Sequence, residues 1–100
     1  MIMPQDNISF IEQIYEQTAE LGLCDTQEQF SVRICGRSPK WFSSLKSTKM
    51  QPSVGALLNM TTVLNGIAAN ERSRKTKRYI LGIHNKVAAK LQDKTIHYEV

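Results

Sequence analysis

The sequence predicts an all-α fold of five helices, on three observations: apolar residues recur three and four positions apart, hydroxyl-bearing start signals precede those runs, and small residues follow them. In helix one, Ile8, Phe10, Ile11, Ile14, Tyr15 and Leu21 keep helical spacing, and Gly22 supplies the stop. Asp25 or Thr26 caps a short second helix, and Thr26 with Gln29 three positions later fits the capping-box pattern. Its Phe30 and Ile34 turn inward, and Cys35 and Gly36 end it. Ser38 and Pro39 restart a helix, the serine as cap and the proline at the first helical position, where its missing N–H has no intrahelical role. Phe42 and Leu45 place that third helix on the core. Ser53 opens a fourth helix with Val54, Leu57, Leu58, Thr61 and Leu64 on one face and Asn65 and Gly66 as terminators. Ile67 to Asn70 is then a linker or an extra turn, and Asn70 caps a long last helix reaching about Gln92. Ile96, Tyr98 and Val100 alternate with polar neighbours, the pattern of a strand paired with a second copy or of a frayed terminus.

One hundred residues, 41% hydrophobic and 22% charged, support a single core. Residues 1–66 form its centre, and 67–100 are a basic amphipathic extension of the same domain or a dimerisation element. Charge is unevenly spread. Residues 1–30 hold six acidic side chains and no Lys or Arg, whereas the remaining 70 carry all 13 basic side chains against Glu71, Asp93 and Glu99. Net charge is therefore −6 and then +10, which points to a polyanionic partner for the later part.

No stretch approaches the ~20 apolar residues needed to span a bilayer, and the start lacks a secretory pattern, so a cytoplasmic protein without a membrane partner is expected. Cys24 and Cys35, roughly 16 Å apart if a helix joins them, are too distant for a disulfide and read as reduced, buried thiols. His84 and His97 offer no zinc spacing. Neither histidine has a Ser or Cys in an activating pattern, and no glycine-rich phosphate loop is present. An enzyme, a cofactor and a small-molecule substrate are therefore not expected.

Two short helices around a glycine turn, from Thr26 to Leu45, have the design of a helix-turn-helix. The second must lie in a major groove about 12 Å wide, where its outer side chains must reach base edges without bulky negative groups. Between Val32 and Glu71 the chain has no Asp or Glu. Thr26-Gln27-Glu28-Gln29-Phe30, Phe42-Ser43-Ser44-Leu45, Lys49-Met50-Gln51-Pro52-Ser53 and Leu57-Leu58 together resemble the Cro and phage-repressor type of helix-turn-helix family, over about residues 8–66. That resemblance implies a repressor-like domain with a central helix-turn-helix and an extended basic C-terminal helix. It also implies a sequence-specific regulator of transcription, a homodimer that binds double-stranded DNA on paired half-sites. The chain departs from the pattern in three ways. Its turn is one residue longer around Cys35-Gly36-Arg37, Thr48 stands where the family tends to have Gly, and Lys46 replaces a common Glu.

Carried over by position, Lys40, Trp41, Ser43 and Ser44 are the expected base contacts, although a tryptophan such as Trp41 is more often a core residue than a base contact. Gln27, Arg37, Ser38, Lys46, Ser47 and Lys49 are the expected phosphate contacts. Arg72, Arg74, Lys75, Lys77 and Arg78 form the densest charge run, followed by an apolar stripe of Ile80, Ile83, Val87 and Leu91. That stripe either docks on its own domain or pairs with another subunit. Lys86, Lys90 and Lys94 share the four-residue spacing of Glu12, Glu16 and Glu20, and the two stripes could oppose each other within or between subunits. The competing function is a protein-interaction adaptor or inhibitor of another regulator, anchored by Trp41 and Phe42. RNA is a weaker third partner, for want of a glycine-aromatic surface motif.

Overall fold

Ser9 opens the first helix by a capping box: its hydroxyl accepts the Glu12 N–H at 3.2 Å, and Glu12 Oε1 accepts the Ser9 N–H at 3.2 Å. The structure, a computed structural model, describes residues 9–99 and their side chains as far as Lys94. Ile8, the expected first apolar position of helix one, lies outside the described residues. The elements are α1 (Phe10–Glu20), α2 (Gln27–Gln29) running on into a π-helical segment (Phe30–Ile34), α3 (Trp41–Thr48), α4 (Val54–Asn70) and α5 (Arg74–Glu99). Among the described residues there is no strand, and no helix is long and apolar enough to cross a membrane.

Gly22 ends α1 as expected: it takes φ +77°, and the Leu23 N–H returns to Thr18 O at 3.0 Å. Thr26 caps α2 by accepting the Gln29 N–H at 3.1 Å, while the Gln29 side chain accepts the Asp25 N–H at 2.7 Å, one residue earlier than in a standard box. The Cys35 N–H then reaches Phe30 O at 3.1 Å, a bond spanning five residues. A π-turn holds one residue more than an α-turn. The surplus falls directly before the long exit at Cys35-Gly36-Arg37.

Five local expectations need correction. Helix α3 starts at Trp41, not at Pro39: Ser38 to Lys40 form a turn in which the Trp41 N–H bonds Ser38 O at 3.0 Å, and Lys40 at the N-cap gives no side-chain bond. The cap comes from elsewhere, because buried Ser31 accepts the Phe42 N–H at 3.0 Å and donates to Gln27 O at 3.1 Å. Helix α4, capped by Ser53 at Ala56 N–H as expected, passes through Asn65 and Gly66 to Asn70. Its buried face is Ala56, Leu57, Met60, Thr61, Leu64 and Ala68, which leaves Leu58 54% exposed. Asn70 bonds back to Gly66 O at 3.2 Å, and α5 is capped instead by Ser73, whose hydroxyl accepts the Thr76 N–H at 3.2 Å. Residues 95–99 continue α5 as helix and form no strand, while Val100 lies outside the described residues.

The core lies where α4 packs most extensively on α5, with α1 against α5 and the π segment against α4. Ile80, Ile83 and Val87 are buried in it beside Leu57, Met60 and Leu64, and Leu91 packs partly buried against the same cluster. The apolar stripe of α5 therefore docks on its own chain. Glu12 is occupied by Ser9, and Gln13 and Gln17, not the glutamates, line the seam between α1 and α5. Among the described residues no ion pair joins the acidic stripe to the basic one. Lys90 instead places Nζ 5.6 Å from the Phe10 ring centroid.

Gly66 lies mid-helix with nothing within 4 Å of a would-be Cβ. Gly66→Ala is expected to stabilise the protein by about 0.5–1 kcal/mol, seen as a higher urea midpoint. A lower midpoint would mean that α4 ends at Asn65.

Candidate nucleic-acid interface

Three aromatic rings set the relative position of α1, the π segment and α3. Tyr15, Phe30 and Phe42 form a triangle with centroid separations of 5.4, 5.2 and 5.1 Å, and two of the three pairs meet edge to face. Polar ties fix the connection between the short helices. Ser31 bridges Gln27 O and the Phe42 N–H, and its carbonyl accepts the Arg37 N–H at 2.8 Å. Gly36, at φ +66°, makes the left-handed exit. Asn59 of α4 holds that exit by donating to Cys35 O at 3.3 Å, close enough that a Cβ on Gly36 would meet its Nδ2 at 3.0 Å.

With Phe42 buried and Trp41, Leu45 and Lys46 half-buried, the outer side of α3 is fixed. Lys40, Ser43, Ser44 and Ser47 are all exposed, and their spacing of three, four and seven puts them on one face. Ser43 and Ser47 donate to Lys40 O and Ser44 O at 3.1 and 3.2 Å, bonds that a rotation about χ1 exchanges for a ligand acceptor. Trp41 packs against the core cluster with part of its ring accessible at the edge of this face.

The expected phosphate contacts are less uniform. Ser38 is exposed on the turn before α3, and Gln27 is half-buried at the start of α2. Lys49 is exposed and caps α3 at φ +57°, with the Met50 N–H closing on Leu45 O at 3.2 Å. Lys46 bends inward and holds Nζ 5.0 Å from the Phe42 centroid. Arg37 lies across the start of α4, donating from Nη2 to Ser53 Oγ at 3.3 Å, and its buried Nε has no partner. A Cβ on Gly55 would come within 2.9 Å of that guanidinium, so the glycine makes room for it. Lys40, Ser43, Ser44, Ser47 and Lys49 thus gather on and beside one helix, whereas Lys46 and Arg37 are engaged within the fold.

Ser31 and Asn59 were not among the sequence-derived site residues. A serine inside a helix carries no mark of its cross-helix partner, and Asn59 acts over 24 positions of chain. Cys24 and Cys35 are free and buried in one core. Burial pushes both thiols up, and Cys24 adds to the rise at Cys35, so both remain protonated. Among the described residues no three His, Cys, Asp or Glu side chains converge to hold a metal ion.

No curated protein and no solved structure matches the chain. One family model does, over residues 11–99, and the chain belongs to that family, DUF6626, a family of unknown function.

Proposed function

We propose that the chain is a sequence-specific regulator that binds double-stranded DNA through α2 and α3, used as a helix-turn-helix in the manner of Cro-type proteins, and that it does so as a homodimer. The observation that carries this reading is the exposed face of Lys40, Ser43, Ser44 and Ser47 on a short helix whose opposite side is locked in the core. No acidic side chain lies on α3 or its flanking loops, so this helix brings no like charge to a duplex; the exposed Glu28 lies on α2. Lysine and serine at these positions match guanine acceptors and mixed base edges, and Lys49 adds a phosphate contact at the end of the helix. The adaptor reading loses one of its two aromatic anchors, because Phe42 is buried, while Trp41 packs on the core with only part of its ring accessible.

Fluorescence anisotropy with a labelled mixed-sequence duplex tests this. Binding is expected at low salt and should weaken steeply as salt rises. Lys40→Ala or Ser44→Ala should alter preference at particular base pairs by about 1–3 kcal/mol. Lys49→Gly separates stability from binding: glycine relieves the left-handed backbone and should stabilise the fold by up to about 1 kcal/mol, yet weaken all duplexes alike and reduce the salt slope by about one. A flat isotherm at low salt overturns the proposal.

A further inference from the structure

A shallow seam runs along α1 where it meets α5. Its two depressions share Lys86: one, of about 370 Å³, is lined by Gln17, Lys75, Arg78, Tyr79, Gly82 and Ile83, and the other reaches Phe10 and Gln13. Tyr79 is 55% exposed, and nothing lies within 4 Å of a would-be Cβ on Gly82, so a partner can approach the α5 backbone closely. Gln17 Oε1 is shut off from water in this seam without a hydrogen-bond donor, a rare state for a buried amide. The two shoulders differ in charge. On the α5 side stand the exposed cations Lys75, Arg78 and Lys86; on the α1 side the exposed Glu16 and Glu20 follow Gln13 and Gln17 by three positions.

We propose that a second copy of this chain occupies the seam between α1 and α5. A two-fold axis running along the seam lays the acidic α1 shoulder of each copy on the basic α5 shoulder of the other, so one set of residues satisfies both sides. The same axis brings the two Gln17 amides together. A primary amide both donates and accepts, so once each Gln17 side chain turns from its buried position to face the axis, the pair bonds reciprocally and Oε1 gains the donor it lacks within its own chain. None of the residues lining this seam belongs to the Lys40–Lys49 face. The inference deepens the dimeric part of the proposed function and is independent of its DNA part.

Sedimentation velocity of the full chain without DNA, at tens of micromolar, is the test. The wild type should sediment as a dimer. A Glu16→Lys/Glu20→Lys variant and a Lys75→Glu/Arg78→Glu variant should each weaken self-association by roughly tenfold or more, since like charges then oppose across the axis. Mixing the two variants should restore a dimer of one copy of each. All four side chains are exposed, so unchanged far-UV dichroism and thermal midpoints are expected to accompany the loss. A wild type that stays monomeric, including one that instead captures an acidic peptide, overturns the proposal. So does a dimer that both variants leave intact. Failure of DNA binding with the dimer intact would overturn only the DNA reading.

Discussion

Phe42→Ala is expected to destabilise the protein by about 3–5 kcal/mol, a large share of the ~5–15 kcal/mol that holds a domain of this size together. The ring is 1% exposed and packs at 5.1–5.2 Å against both other members of the aromatic triangle, so its loss opens a cavity where α1, the π segment and α3 meet. None of the three backbones can collapse into that space independently, since Ser31 bonds the π segment to α3 and Asn59 bonds its exit to α4. Urea unfolding checks the magnitude. Lys46, deprived of the ring beneath its ammonium, would then swing outward. A loss near 1 kcal/mol would show that the triangle does not position α3.

Ser31→Ala removes only one oxygen but should cost about 1–3 kcal/mol, because the Phe42 N–H stays buried and loses its acceptor. That N–H is an orphan donor of the first turn of α3, and Lys40 supplies no side-chain cap to replace Ser31. The loss should therefore be local as well as global. Hydrogen exchange of the Phe42 amide, slow in the wild type, is expected to accelerate more than that of α4 amides. DNA affinity should fall further than the stability loss alone explains, since the start of α3 is the part expected to enter the groove. Equal acceleration across the molecule would assign Ser31 a purely global role.

The helices were legible in the sequence where local chemistry decides them. Gly22, Thr26, Gly36 and Ser53 all perform the roles read from their residue type, because a cap or a left-handed stop is settled within a few residues. The errors lie where tertiary packing overrides a local signal. Ser38 and Pro39 carry a strong start pattern, yet Ser31 captures the first-turn donor from across the fold and α3 begins two residues later. Asn65 and Gly66 read as a stop, but they are exposed on a helix whose other side is held by Leu64 and Ala68 in the core. Of the candidate site, Lys40, Ser43 and Ser44 were legible from the family resemblance together with the spacing that turns Phe42 inward, whereas Ser47 joins their face and Trp41 packs on the core. The inward turn of Lys46 and the seat of Arg37 on α4 did not, because a cation's choice between solvent, a ring and a neighbouring helix depends on partners far away in sequence.

The most direct test of α3 as a DNA-reading helix is an amide chemical-shift map of the nitrogen-15-labelled protein titrated with a duplex at low salt. The largest shifts are expected at Lys40, Ser43, Ser44, Ser47 and Lys49, with smaller ones at Gln27 and little change along the outer face of α4 around Leu58 and Thr62. Shifts confined to α5, or none at all, would contradict the assignment of α3 to the major groove.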